Sequence, residues 1–285
     1  MRALVHSGGG SAGSWGAGVL KYLMEDLGKT YDIFAGVSVG ALNTSWLAQY
    51  APTDQKLGYQ ALYNLWYNIQ DSTVKKNWCP FREASAIWKD SVYNSQPLID
   101  LVHSQVNLEK IRSSGNKIAV SAVQAATGKY VTFTQNDDCF LDGVLASSAF
   151  PAALCPITID GYKYVDGGAR HSLPLNEAIQ LGATDLDVII CGPKMPTNPF
   201  DDANALTLGI RSFDYATSQM VESDLKIAYL YNKLVSAGLA PGKRMLNIKV
   251  IRPRVDLAGS TLTFDNPTMR AHLVQGYEDA KNQYM

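Results

Sequence analysis

Cysteine and histidine are scarce in this 285-residue chain, with four of each. The cysteines, at positions 79, 139, 155 and 191, form no close pair. That excludes a Cys-x-x-Cys metal or redox motif and points to unpaired thiols in a reducing cytoplasm. Charge is sparse as well: charged residues make up 18%, the formal net charge is −1, and there is no long basic run. Such a balance leaves no footprint for nucleic acid, nor for strong electrostatic docking on anionic lipid. No window approaches the roughly 18 apolar residues of a membrane-spanning helix. The opening Met1–His6 also lacks the longer apolar stretch of a signal peptide. These absences predict a soluble, cytoplasmic protein whose membrane contact, if any, is peripheral. Internal repeats, low-complexity tracts and linkers are missing too, so residues 1–285 are expected to form one domain. The hydrophobic content of 46% suits a well-buried core.

Apolar periodicity supplies the architecture. Ala3-Leu4-Val5 is a short strand running into three glycines. Trp15, Val19, Leu20, Leu23 and Leu27 then recur at helical spacing. Tyr31–Val37 predicts a second strand, and Val39, Leu42, Asn43, Trp46, Leu47 and Tyr50 mark a second helix. Residues 51–110 read as mostly helical and aromatic-rich, with Tyr63, Trp66, Tyr67, Trp78, Phe81 and Trp88. Those aromatics are candidates for a lid or an interfacial surface near the site, but core or satellite packing explains Trp66, Trp78 and Trp88 more simply. Lys117–Val123 and Tyr130–Thr134 predict strands around Thr127-Gly128, another strand ends at Asp166, and Leu186–Cys191 is a further apolar run after a helix at 174–182. Pro193–Asp202 reads as a loop and 204–237 as one long or two shorter helices. Met245–Ile251 is a strand, and Met269, Leu273, Tyr277, Ala280 and Tyr284 stripe a closing helix. Strands alternating with helices predict an α/β fold, a three-layer sandwich around a mainly parallel central sheet.

Two motifs carry chemistry. Gly36-Val37-Ser38-Val39-Gly40 falls between a predicted strand and helix, the context that makes Gly-x-Ser-x-Gly a nucleophile elbow. There a serine projects from a tight turn near a helix N-terminus, whose partial positive charge favours a developing anion. A serine N-cap in a glycine-rich turn would read the same way. Ser7-Gly8-Gly9-Gly10 offers bare backbone amides that could cradle an oxyanion. Gly8–Gly13 also spells the dinucleotide fingerprint, but that motif wants an acidic residue ending the second strand, where this chain has Val37-Ser38. No Lys-Ser or Lys-Thr follows the glycines, which excludes a Walker loop.

A serine needs a base. A Ser-Asp-His triad could combine Ser38, Asp166 or Asp187, and His272, yet His272 sits beside the apolar stripe of the last helix. His6 and His103 have no motif around them, and His171 closely follows Asp166-Gly167-Gly168. Asp166 is the stronger candidate, at a strand end before two glycines, although an Asp-Gly hairpin turn would look alike. Its reference pKa of about 3.9 makes it a weak base unless partial desolvation raises it.

Taken in order, these segments resemble the patatin-like phospholipase family over nearly the whole chain. The resemblance rests on Ser7-Gly8-Gly9-Gly10 with Ala17-Gly18-Val19-Leu20, on Gly36-Val37-Ser38-Val39-Gly40-Ala41-Leu42-Asn43, on Ala146-Ser147-Ser148-Ala149-Phe150-Pro151, and on Ile159-Asp160-Gly161 with Tyr164-Val165-Asp166-Gly167-Gly168 and Pro174. It implies a Ser38–Asp166 dyad without a catalytic histidine, an oxyanion hole from the Gly8, Gly9 and Gly10 amides, Gly36 and Gly40 shaping the elbow, and hydrolysis of lipid acyl esters through an acyl-enzyme. It implies no metal or other cofactor. Two positions depart from the family: Ala12 stands where it usually has Lys or Arg, and Ser172 where it often has Asn. Hydrolysis of small esters or acyl transfer by the same dyad is the alternative enzyme reading. A catalytically silent interaction protein is the third, with Ala12 as its sequence support.

Overall fold

The computed structural model describes residues 1–78, 89–194 and 205–284. Its strands are β1 (Arg2–His6), β2 (Ile33–Gly36), β3 (Lys76–Asn77), β4 (Tyr93–Asn94), β5 (Lys117–Gln124), β6 (Tyr130–Thr134), β7 (Ile157–Ile159), β8 (Tyr162–Asp166), β9 (Asp185–Ile189) and β10 (Asn247–Ile251). The helices are α1 (Gly13–Lys21), α2 (Val39–Ala48), α3 (Gln55–Asn68), α4 (Asp71–Val74), α5 (Gln96–Gln105), α6 (Leu108–Ser113), α7 (Phe140–Ser147), α8 (Leu175–Gln180), α9 (Ala205–Ser236) and α10 (Asn266–Tyr284). The 204–237 periodicity thus resolves into one long helix. Phe81, Trp88, Cys79 and most of the Pro193–Asp202 segment lie outside the described residues.

The main sheet runs β10-β9-β1-β2-β5-β8-β7, with β6 also on β5. β10, β9, β1, β2 and β5 are parallel, while β6, β7 and β8 are antiparallel to their neighbours. Alternation along the central strands divides the core. Ala3, Val5, Ile33 and Ala35 face one layer with Leu175, Val221 and Leu225 of α8 and α9. Leu4 and Phe34 face the other with Trp15, Leu47, Leu62, Val102 and Leu273. A period of two places successive side chains on opposite faces, so both layers bury the same strands. This is the expected α/β/α sandwich.

Strand order departs to opposite sides of β1, towards β2 and towards β9, so the glycine loop after β1 lies at a switch point, where open α/β sheets place ligands. The other edge feature concerns β5. One of its edges pairs with β6 from Ala119 to Val123. The opposite edge pairs with β2 from Lys117 to Val120, where β2 stops at Gly36. β8 then takes over that same edge at Ala122–Gln124, with Asp166 opposite Ala122. The chain leaving β2 and the end of β8 therefore converge.

α1 and α10 cross in backbone contact. A Cβ on Gly18 would collide with the Leu273 carbonyl, and one on Gly276 with the Trp15 carbonyl. Trp15 Nε1 donates to Asp279 Oδ2 across the same crossing at 3.0 Å. Cys139, Cys155 and Cys191 are unpaired. Among the described residues no helix is long and apolar enough to cross a membrane.

Candidate active site

Ser38 occupies the turn between β2 and α2 with φ 57° and ψ −129°, a strained conformation for a residue with a side chain. Packing enforces it. A Cβ on Gly40 would strike the His6 carbonyl, and one on Gly36 would strike the Gly40 carbonyl. The Ser147-Ser148 pair clamps the elbow from the end of α7: Ser38 N–H donates to Ser147 Oγ at 3.0 Å, and Ser148 Oγ donates to the Ser38 carbonyl at 3.1 Å. Asn43 ties α2 to its neighbours, donating to the Gly13 carbonyl and accepting from Trp66 Nε1.

Asp166 closes β8 beside this turn, and its backbone N–H donates to the Ala149 carbonyl at 2.9 Å. Its Oδ1 accepts from Gly168 N–H at 2.7 Å, while its buried Oδ2 accepts no hydrogen bond of regular geometry. Burial lifts the carboxyl from its usual 3.8 to about 7, against the opposing pull of the Ser38 hydroxyl and the Gly168 amide. The hydroxyl is thus near enough to favour the carboxylate, though not aligned on Oδ2 as in a tight hydrogen bond. Loose serine–base geometry is common before substrate arrives.

The glycine loop faces the same point. A Cβ on Gly8 would lie 3.1 Å from Ser38 Cβ and 3.7 Å from its Oγ. Gly8 N–H reaches the Ser172 carbonyl only at 3.4 Å, and among the described residues no acceptor engages the Gly9 or Gly10 N–H. Gly10 has φ 54°, and a side chain there would run into the Thr261 carbonyl. Ser172, the departure behind the Asp-Gly-Gly turn, is buried between the glycine loop and that turn. Ala12 is buried in the core layer around Trp15, and its carbonyl lies 3.5 Å from Cys191 Sγ.

Two of the four histidines, His6 and His272, are committed to other hydrogen-bond contacts. His6 is buried beneath the elbow, its Nδ1 2.9 Å from the Ser7 carbonyl and its Nε2 3.2 Å from Asn43 Nδ2. Burial lowers its pKa to about 4, so it stays neutral. His272 bridges Ser14 Oγ and the Ala258 carbonyl, each at 3.0 Å. His171 is half exposed, 4.0 Å from Asp224, and His103 lies exposed on α5. Asp187, the other carboxylate considered for a triad, is buried on β9 and held by Lys29 at 2.7 Å, Tyr31 and Tyr284.

Two cavities of different character meet at Ser38. One is lined by Leu42, Trp46, Leu62, Trp66, Val102 and Phe264, with no charged residue on its wall. The other holds Ser7–Ala12, Asp166, Arg211, Asp214, Arg252 and Asp256. Gly10, Ser38 and Phe150 line both. Phe150 packs edge-on against Phe213 of α9, with centroids 4.8 Å apart. The Ser147-Ser148 clamp and the bordering position of Phe150 leave no trace in the periodicity; only the family resemblance marks that segment. Trp66 is core, as expected, but it also walls the apolar cavity.

The chain is 28% identical over 193 residues to the uncharacterized protein YjjU of Escherichia coli K12, an alignment covering 66% of this chain and 51% of that protein. The chain thus spans about half the length of the curated relative it matches. Among solved structures, VipD from Legionella pneumophila aligns over 99% of this chain and 66% of its own, with TM-score 0.48 and 13% identity. The type III effector ExoU aligns over 99% of this chain and 52% of its own, with TM-score 0.44 and 12% identity. The sequence profile of patatin-like phospholipases matches residues 4–179. The chain belongs to the patatin-like phospholipase family.

Proposed function

We propose that this protein is a serine lipid acyl hydrolase, of the phospholipase A or esterase type, acting through a Ser38–Asp166 dyad within a single domain. The observation that carries the reading is the meeting of an uncharged apolar cavity and a polar cleft at Ser38. An acyl chain fits the first, and the polar alcohol of its ester fits the second. Ser38 Oγ attacks the acyl carbonyl as its proton passes to Asp166 Oδ2, the oxygen that the Gly168 amide leaves free. The carbonyl π electrons move onto oxygen, and the Gly8, Gly9 and Gly10 amides stabilise that charge; such donors contribute about 3–4 kcal/mol each. Collapse expels the alcohol, which takes the proton from Asp166 and leaves Ser38 acylated. Water then attacks the acyl-serine while Asp166 accepts its proton, and the same steps release the fatty acid and free Ser38.

A base held near pH 7 is well matched to both directions of proton transfer. Burial that raises Asp166 therefore supplies what an exposed aspartate would lack. The test is mass spectrometry of mixed phospholipid vesicles incubated with the protein, with Ser38→Ala and Asp166→Asn as controls. Free fatty acid with lysophospholipid, from the native protein only, is the expected result. Release that persists in either folded variant refutes the dyad. Hydrolysis confined to short soluble esters refutes the lipid assignment and leaves a small-ester enzyme.

A further inference from the structure

The whole-chain charge of −1 conceals a strong asymmetry. Residues 225–255 hold seven cations, Lys226, Lys233, Lys243, Arg244, Lys249, Arg252 and Arg254, and no Asp or Glu. Of the chain's 25 cations and 26 acids, that leaves 18 against 26 elsewhere, so this stretch carries +7 and the remainder −8. The cations are spaced rather than contiguous, so the absence of a basic run was a poor guide to the surface. Arg252 is paired with Glu222, and Lys249 lies over the Tyr284 ring. Lys226, Lys233, Lys243 and Arg244 are exposed, and none has an acidic partner within 4 Å among the described residues.

Apolar side chains stand exposed among those cations. Val221, Leu225 and Ala228 turn the inner face of α9 to the sheet. On its outer face Ile227, Leu230 and Leu234 are 65%, 57% and 41% exposed, at the i, i+3, i+7 spacing of a single stripe. Lys226 and Lys233 run alongside it. The turn after α9 adds Leu239 and Met245, 72% and 51% exposed, beside Lys243 and Arg244. An apolar row bordered by unpaired cations matches a bilayer interface, where side chains enter the acyl boundary and cations meet lipid phosphates. Nucleic acid would use the cations but leave the leucines idle. The same helix walls the polar cleft with Arg211, Phe213, Asp214, Thr217 and Val221. From Val221 to Ile227 is six residues, ~9 Å along the axis.

We propose that the outer face of α9 from Lys226 to Leu234, together with the turn at 237–245, docks the protein on a bilayer bearing anionic headgroups. The surface serves the proposed lipid hydrolysis and rests on that reading for its purpose. Its test is independent of turnover: flotation of the Ser38→Ala protein with phosphatidylcholine vesicles, with and without phosphatidylglycerol. Binding is expected to require phosphatidylglycerol and to weaken with salt. Replacing Lys226, Lys233, Lys243 and Arg244 by glutamine should weaken it on the order of several hundredfold, at about fivefold per cation. Ile227→Ser with Leu230→Ser and Leu234→Ser should weaken it too, and that loss should not be recovered at low salt.

Both sets of substitutions, made in the native protein, should leave hydrolysis of a soluble short-chain ester unchanged. Equal binding to pure phosphatidylcholine overturns the proposal, as does binding indifferent to either set. A dimer of native protein that becomes monomeric in the variants overturns it in favour of a self-contact. Retention on duplex DNA that survives the serine changes overturns it in favour of a polyanion site. Vesicle binding as described without any ester hydrolysis by native protein would sink the hydrolase reading and leave the docking surface standing.

Discussion

Replacing Asp166 by asparagine should stabilise the protein at alkaline pH while removing its activity. In the fold, burial lifts this carboxyl from 3.8 to about 7; in the unfolded chain it returns to the ordinary value. Between those two values the folded state holds a proton that the unfolded state has released. The slope of unfolding free energy with pH is therefore negative, and native stability falls as pH rises through 7. A difference of about 3 units corresponds to about 4 kcal/mol, fully expressed by pH 8. Asparagine carries no such pH dependence. Its Oδ1 can still accept from Gly168, but its amide falls where Oδ2 has no regular hydrogen-bond partner; an unsatisfied donor costs about 1–3 kcal/mol. At pH 8 the variant should thus be more stable by about 1–3 kcal/mol, and at pH 3, below the unfolded pKa, less stable by about as much. Equilibrium denaturation at several pH values measures the difference directly. On the proposed dyad, the native protein's ester hydrolysis should rise about tenfold per pH unit below 7 and level off above it, because Asp166 as base must be ionised. A stability difference that stays flat between pH 5 and 8, or a native protein that gains stability through pH 7, refutes the buried carboxyl. A flat rate profile with an active asparagine variant refutes its role as base.

Ser38→Gly should abolish hydrolysis yet stabilise the fold by about 1 kcal/mol. Strain at φ 57° is relieved, a gain of about 1–3 kcal/mol less about 0.5–1 for glycine's added freedom when unfolded; a destabilised variant in urea titration argues against strain. Leu101→Trp, on the wall of the apolar cavity, should shift preference towards shorter acyl chains at nearly unchanged short-ester turnover, as read from a chain-length series. If long and short chains suffer equally, the acyl chain lies elsewhere. Asp187→Asn should lower stability by about 3–5 kcal/mol, because Lys29 loses its buried partner, while turnover per folded molecule holds. A selective loss of turnover would make Asp187 part of the chemistry. Gly276→Ala should cost several kcal/mol in denaturant titration, since the Trp15 carbonyl occupies the space of its Cβ; full stability would mean the α1–α10 crossing yields readily.

Sequence reading reached some parts of this molecule and missed others for identifiable reasons. β1, β2 and β5 are legible as short apolar runs because both of their faces are buried, and helical spacing marks α10 because it buries one face against the core. β7 was missed because three residues cannot display a period, although Asp160-Gly161 after it, with φ of 51° and 79°, is hairpin chemistry. Ser38 was legible because its turn demands glycines at fixed offsets. Asp166 stood out for its glycines, but its proximity to Ser38 depends on β8 replacing β2 along β5, a non-local pairing with no local signature. Ser147 was opaque as a clamp, since a serine before a turn has many uses. The docking surface on α9 escaped because net charge averages over the whole chain, whereas an acid-free window from 225 to 255 would have exposed it.

On the proposed dyad, the shared edge of β5 makes competence for catalysis a late property of the chain. β1, β2 and the elbow turn lie in the first third of the sequence and the Ser147-Ser148 clamp follows with α7, but Asp166 arrives only when β8 pairs with the vacant stretch at Ala122–Gln124. Distant pairings of that kind form slowly, after loop-closure entropy is overcome. During refolding, helical signal should return first and esterase activity last, so the lag between them times the docking of a single strand. A nascent chain released before β8 would hold the elbow turn without Asp166, and on the proposed dyad it would stay silent until its sheet is complete.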